Sequence, residues 1–372
     1  ASDVYKRQLL KLRASLGYLG NISFEPYQAL TMYTSLAGLN YIKGIGAVPM
    51  GIGNKNLKWE RTLSANLGLD LTMFKGRWDF SADVYVKNTD NLLLDITKAP
   101  SLGITTSREN VGEVENHGFE FQTRVIPIKN KDWEWSLSLN YAYNKNKIKK
   151  ISNALREQNE KNQAKGGVTP LPIYEEGQSL TALKVVSSAG IDPITGNEVF
   201  IKRDGSLTFV YDPNDKVVYG DTTPFGMGSI GSYLTYKQFS MGMSMRYSFG
   251  GAVYNQTLAS KVEGADPRYN ADERVFSSRW KEVGQQAKYK RISDSSVPMQ
   301  TSRFVETNNY ITLSSLSLAY EVPLTFIKRY GLKRLHLEML ANDLFYLSSV
   351  KRERGLSYPY ERSVEFSVRL GF

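Results

Sequence analysis

Val364-Glu365-Phe366-Ser367-Val368-Arg369-Leu370-Gly371-Phe372 decides the fold. Val, Phe, Val, Leu and Phe occupy the even positions, and Glu, Ser, Arg and Gly fall between them. Side chains of a strand alternate between its two faces, so this stretch is a β-strand with one apolar and one polar surface. Lipid is the simplest cover for the apolar one.

The same alternation recurs upstream. Trp59, Arg61, Leu63, Ala65, Leu67, Leu69, Leu71 and Met73 alternate with Glu60, Thr62, Ser64, Asn66, Gly68, Asp70 and Thr72. A helix would spread both sets over all of its faces. Trp78, Phe80, Ala82, Val84 and Val86 repeat the pattern, as do Trp133, Trp135, Leu137, Leu139, Tyr141 and Tyr143. The segments from Phe119, Phe239 and Leu335 follow it less regularly.

Composition bounds what these strands build. The 372 residues are 41% hydrophobic, with 23 Tyr and 16 Phe but no Cys. No apolar run reaches the roughly 18 residues of a membrane helix. A mean hydropathy of -0.37 is compatible with a membrane barrel, because half of each strand faces a polar lumen. Without Cys there are no disulfides, thiolate nucleophiles or zinc-thiolate sites. His117 and His336 are the two histidines, and neither has a companion at metal-ligand spacing. The net charge of +10 is scattered over turns and loops, which argues for a solvated surface and against nucleic acid. The basic run Asn144–Lys150 falls where a strand leaves the bilayer, a place suited to anionic lipid head groups.

About ten strands are predicted: Leu9–Gly17, Trp59–Phe74, Arg77–Asn88, Val114–Ile126, Asp132–Lys145, Phe225–Tyr236, Gln238–Phe249, Asn309–Glu321, Lys333–Leu344 and Arg362–Phe372. Short connections (Lys75-Gly76, Pro127–Lys131, Lys237, Val322–Leu332) alternate with long ones (Tyr18–Lys58, Thr89–Glu113, Asn146–Pro224, Gly250–Asn308, Phe345–Glu361). In an up-and-down antiparallel barrel such alternation places every long loop on one rim, as in outer-membrane barrels. The expected fold is therefore all-β: a transmembrane antiparallel up-and-down β-barrel with long extracellular loops and short periplasmic turns. Trp78, Trp133, Trp135 and Phe372 are expected in the periplasmic girdle, Trp59 and Tyr310 in the outer one. A soluble sandwich or adhesin, which must bury its apolar faces under a second layer, is the rival reading.

Several motifs carry a resemblance. They are Asn56-Leu57-Lys58-Trp59-Glu60-Arg61-Thr62, Asp83–Leu94, Asn110–Glu120, Ala189–Asn197, Tyr310–Tyr320 and Ala341-Asn342-Asp343-Leu344-Phe345. In order and spacing the chain resembles the SusC/RagA family of TonB-dependent outer-membrane transporters, from about Leu9 to Phe372. His117 and the Ala341-Asn342-Asp343 run depart from the family's usual residues. The resemblance implies a plug-filled barrel of about 22 strands, of which residues 9–372 would be the C-terminal part, a partial barrel without plug, TonB box or N-terminal strands. It also implies import of glycans or oligopeptides across the outer membrane of a Gram-negative bacterium, in a multi-pass barrel. The partners implied are a SusD-like surface lipoprotein, the TonB complex acting through the plug, and outer-membrane lipid. A siderophore or cobalamin receptor of the same class, or a passive porin, is the alternative. Residues 1–8 resemble the translation of a sequencing adapter and are set aside as non-native.

Nothing in the chain suggests an enzyme. Asp79 with Asp83, and Glu113 with Glu115, are carboxylates on common faces, the ordinary lining of a polar lumen. No cofactor is expected. Cargo contact is expected from the outer loops, where Tyr269, Arg279, Trp280 and Tyr289 offer aromatic faces and a guanidinium fork. Asn116-His117-Gly118 reads as a turn or bulge, Asp192–Asn197 as a Pro-Gly turn, and Phe249-Gly250-Gly251 as a strand exit.

Overall fold

The computed structural model describes residues 7–21, 30–41, 44–266, 268–269, 271–351, 353 and 362–372. Its strands are β1 (Arg7–Asn21), β2 (Met32–Tyr41), β3 (Gly44–Gly51), β4 (Glu60–Met73), β5 (Trp78–Thr97), β6 (Thr106–Lys129), β7 (Trp133–Ile151) and β8 (Ala182–Ile191). There follow β9 (Glu198–Ile201), β10 (Leu207–Thr208), β11 (Lys216–Asp221), β12 (Gly226–Tyr236), β13 (Phe239–Tyr254), β14 (Val305–Glu321), β15 (Arg334–Ser348) and β16 (Ser363–Gly371). Helix α1 (Asn153–Ala164) starts on Ser152, whose side chain accepts from the Leu155 amide as an N-cap.

Ten strands form one antiparallel sheet in the order β1-β4-β5-β6-β7-β12-β13-β14-β15-β16. These correspond one for one to the ten expected strands, each beside its neighbour in sequence. β2 and β3 make a hairpin between β1 and β4, and β8 to β11 form a four-stranded sheet between β7 and β12.

Directly opposed residues share a face. One row across the sheet runs Leu12, Leu69, Ala82, Phe121, Tyr141, Gly228, Tyr247, Ile311 and Leu347. The adjacent row, on the other face, runs Arg13, Gly68, Asp83, Glu120, Ala142, Met227, Ser248, Tyr310 and Ser348. The wall thus has an apolar face and a predominantly polar one. Leu67, Val84 and Phe366 stand 60%, 58% and 78% exposed, so no described part of the chain shields them. Burying such a side chain fully contributes about 1.5–3 kcal/mol, which hydrocarbon supplies when the chain itself does not.

The short turns follow local chemistry. Phe74, Lys75 and Gly76 all take positive φ between β4 and β5, and Lys237 does so between β12 and β13. Positive φ at the centre of a two-residue hairpin matches the twist of its strands. The connection from Val322 to Leu332 holds a helical turn, Leu324–Ile327.

Three expectations are corrected. β5, β6 and β7 run beyond Asn88, before Val114 and past Lys145, so the connection expected over Thr89–Glu113 contracts to residues 98–105. Asn91, at φ +56°, shifts the register between Thr89 and Leu92, which breaks the period of two while the ladder resumes to Thr97 opposite Thr106. Asn116-His117-Gly118 is neither turn nor bulge: it pairs continuously with Lys87, Val86 and Tyr85. Gly118 fits there because a Cβ would lie 2.7 Å from the Tyr85 hydroxyl. Phe249-Gly250-Gly251 is a bulge within β13, with Gly250 at φ +81°, and the strand continues to Tyr254.

The Asp192–Asn197 turn is as expected. The Asp192 carboxylate accepts from the Ile194 and Thr195 amides, and the Gly196 amide donates to the Asp192 carbonyl. β1 takes in Arg7 and Gln8; residues 1–6 of the segment set aside lie outside the described residues, as do parts of the connections after β1 and β15.

Candidate functional site

Three surfaces of this wall have the chemistry to act. The first is the apolar face at the short-turn end. Trp133 stacks on Tyr236 with centroids 4.1 Å apart, Phe239 leans on Tyr320 at 4.4 Å, and Phe74 stacks on Trp78 at 6.3 Å. Trp78 Nε1 donates to Thr123 Oγ1 and Trp135 Nε1 to Ser232 Oγ, both at 3.0 Å. Phe372 stands 79% exposed at the same end. Aromatic rings with one apolar body and one polar handle suit the boundary between hydrocarbon and water. Phe74, Tyr236, Phe239 and Tyr320 belong to this belt although alternation alone did not single them out. Their signal was an aromatic ring within two residues of a short connection.

At the opposite end Trp59 is exposed just ahead of β4. Tyr310 is on the other side of the wall. It opposes Ser248 and Ser348 and stacks on Tyr346 at 5.6 Å. The register of β14 slips at Ser314, between Leu313 and Ser315, against both of its neighbours. Ser314 is extra against β13 and faces two residues, Asp343 and Leu344, in β15; the shift exchanges the two faces of β14, so Leu316, Leu318 and Tyr320 point to the apolar side while Tyr310 points to the polar one.

The second surface is that polar face. A groove of about 400 Å³ there is lined by Asp83, Glu120, Gln122, Asn140, Arg246 and Tyr310 among others. Arg13 crosses from β1 to place Nε 2.8 Å from Asp70 and Nη2 2.9 Å from Asp83. It crosses at Gly68, where a Cβ would sit 2.5 Å from Asp83 Oδ1 and 2.7 Å from Arg13 Cζ. Such a surface offers fixed charge and hydrogen-bonding groups.

The third is the layer of loops above the wall, built on buried ions. Arg303 Nε and Nη2 donate to Glu198 at 2.7 and 2.6 Å, and Nη1 and Nη2 donate to Glu263 at 2.8 Å. The pairs join the β9 loop to the segment after β13, beside a cluster of Ala259, Val262, Val275, Tyr289 and Phe304. Burial alone lowers the Arg303 guanidinium, and its bonds to Glu198 and Glu263 outweigh this, holding it above its ordinary value. Lys216, 1% exposed, donates Nζ to the carbonyls of Asn162, Gln163 and Lys165 at 3.2, 3.0 and 2.8 Å, which closes the C-terminal end of α1. Burial pushes its pKa down to about 8.

The four residues expected to contact cargo all lie in this layer; the backbones of Arg279 and Tyr289 form a β-bridge and the Trp280 amide donates to the Tyr289 carbonyl at 3.1 Å, but the four side chains do not share one open surface. Arg279 is buried, and its guanidinium is spent on the carbonyls of Val275, Val262, Glu263 and Lys290. Tyr289 is in the cluster core. Trp280 packs over Gly196 and donates Nε1 to the Pro193 carbonyl at 3.0 Å. Tyr269 alone of the four is widely exposed.

An antiparallel meander with an apolar outside, a polar inside and its folded loops gathered on one rim defines a section of an outer-membrane β-barrel wall. The chain belongs to the TonB dependent receptor-like, beta-barrel family, whose model matches residues 4–337. It is 30% identical over 356 residues to TonB-dependent receptor P3 of Formosa agariphila, covering 90% of this chain and 34% of that protein. It is 31% identical over 218 residues to TonB-dependent receptor SusC of Bacteroides thetaiotaomicron, covering 56% of this chain and 21% of that one. Among solved structures, the RagAB peptide transporter superimposes with a TM-score of 0.79 at 22% identity, over 93% of this chain and 38% of the other, a likeness of fold. The SusC/RagA resemblance read from the motifs is borne out. The chain spans about a third of the length of the curated relatives that it matches over most of its own.

Proposed function

We propose that this chain forms part of the barrel wall and outer loops of an energy-coupled importer that carries glycans or oligopeptides across the outer membrane. The observation that carries the reading is the ten-stranded wall with lipid-compatible and polar faces, topped at one rim by a loop layer locked by Arg303. Its similarity to SusC and to the RagAB peptide transporter supports nutrient cargo. In this reading the short turns face the periplasm and the loop layer faces outward. A SusD-like surface lipoprotein covers that layer, and TonB acts through a plug held against the polar face. Tyr269 and Trp280 are the cargo contacts that remain accessible; Arg279 and Tyr289 hold the loops in place.

Disruption of the gene is expected to remove uptake of a labelled oligosaccharide or oligopeptide from a panel, with siderophore and cobalamin uptake unchanged. Loss of siderophore or cobalamin uptake alone overturns the reading. The orientation is tested separately. These 372 residues hold no cysteine; relative to the parent receptor, a Tyr269→Cys variant is expected to gain reaction with a membrane-impermeant thiol reagent on intact cells, and a Lys237→Cys variant only after the membrane is opened.

A further inference from the structure

On the apolar side of the wall, at the short-turn end, a crevice of about 480 Å³ is lined by Tyr236, Phe239, Met241, Leu318, Met339 and Phe366 with their neighbours. That volume is in the range of small-ligand sites. Its lining is almost wholly apolar, so the part of a ligand that enters it is hydrocarbon.

Cations gather at its end. Lys237 lies in the turn between Tyr236 and Phe239, with Nζ 5.4 Å from the Tyr236 ring centroid. The connection between β14 and β15, two of the strands that line the crevice, adds Lys328, Arg329 and Lys333. All four are exposed, and none has an ion pair among the described residues, whereas neighbouring Arg334 is committed to Glu321 at 2.8 Å. The same connection anchors Ile327 inward and leaves Leu324, Phe326 and Tyr330 exposed beside these cations. Exposed apolar side chains interleaved with unpaired cations suit an interface where hydrocarbon meets anionic head groups.

We propose that the crevice and these four cations form a binding site for one anionic glycerophospholipid of the periplasmic leaflet. An acyl chain occupies the crevice and the phosphate lies against Lys237 and the Lys328, Arg329 and Lys333 group. The site extends the lipid-facing surface described above and rests on the orientation with short turns toward the periplasm. Lipid retention by purified protein does not depend on that orientation, so the two fail separately.

The test uses the receptor that carries this chain, extracted in mild detergent and examined by native mass spectrometry with phosphatidylglycerol or phosphatidylcholine added. A single phosphatidylglycerol adduct is expected, retained about tenfold better than phosphatidylcholine. Replacing Lys237, Lys328, Arg329 and Lys333 together by Gln is expected to abolish that preference. The positions are exposed turns, and an unchanged heat-modifiable band verifies the fold. Leu318→Trp fills the crevice and is expected to lower retention of both lipids. No adduct, equal retention of the two lipids, or a preference unchanged in the fourfold variant overturns the proposal.

Discussion

Arg303 joins loops remote in sequence, meeting Glu198 across 105 residues and Glu263 across 40. Both carboxylates are buried, with side-chain exposures of 4% and 0%. Removing the guanidinium leaves two negative charges facing each other in a dry layer, and breaking a buried pair in this way costs about 3–5 kcal/mol. Arg303→Met is therefore expected to abolish amide exchange protection in β9 and around Val262 while β5 and β6 stay protected; equal protection in both would show the ions are dispensable. Tyr269→Ala, at an exposed site, is expected to change stability by less than about 0.5 kcal/mol. Lys216 gives this layer a pH dependence. Its folded pKa of about 8 lies below the roughly 10.4 of an unfolded lysine. Between those values the unfolded chain binds more protons, so the contribution of Lys216 to stability rises with pH across that window. Comparing melting temperatures of the parent and Lys216→Met from pH 8 upward is the measurement, with a flatter pH profile expected in the variant.

In β14 a single residue decides which side chain meets lipid. With the bulge at Ser314, Ile311 faces the apolar side and Tyr310 the groove. A cation on the lipid face costs up to about 2–4 kcal/mol at mid-membrane and less near its edges. Ile311→Arg is thus expected to destabilise the receptor more than Tyr310→Arg in urea titrations in lipid vesicles, and the opposite order would restore the unbroken register. The same strand explains what sequence pattern discloses. Alternation located all ten wall strands, because each spans a slab that demands one apolar and one polar face. It missed the ends of β5, β6 and β7 beyond Asn88, before Val114 and past Lys145, where register shifts break the period of two and Ile96 and Val111 are buried against Leu155 of α1. It also assigned Tyr310 to the wrong side, although the break is written in the chain: Ile311 and Leu313 fall on odd positions and Leu316, Leu318 and Tyr320 on even ones, with Ser314-Ser315 between them. The position of Trp78, Trp133 and Trp135 at the short-turn end followed from their nearness to short connections. The loop layer was not legible. Arg303, Glu198, Glu263 and Lys216 sit in unpatterned segments whose partners lie far along the chain, and Arg279, read as a hydrogen-bond fork for cargo, is consumed by four carbonyls of its own loops.

β1 and β16 lie at opposite ends of the sheet order, each with a single hydrogen-bonded neighbour in it. The outward side chains of β1 are bare as well, with Leu12, Leu16 and Tyr18 all about three-quarters exposed. In water an open edge is solvated; in hydrocarbon each unpaired amide or carbonyl costs several kcal/mol, and edges of this length make the sum prohibitive. The wall is consequently stable in lipid only when further strands pair with both edges, which agrees with its match to 38% of the RagAB chain. These residues expressed alone and refolded in detergent are expected to give no compact, heat-modifiable band and no single-channel conductance. Supplying the remaining strands of the receptor in trans is expected to restore the band, because it pairs β1 and β16 without altering any contact within the sheet. A compact band from this chain alone would mean that β1 and β16 find each other and close a barrel of ten strands.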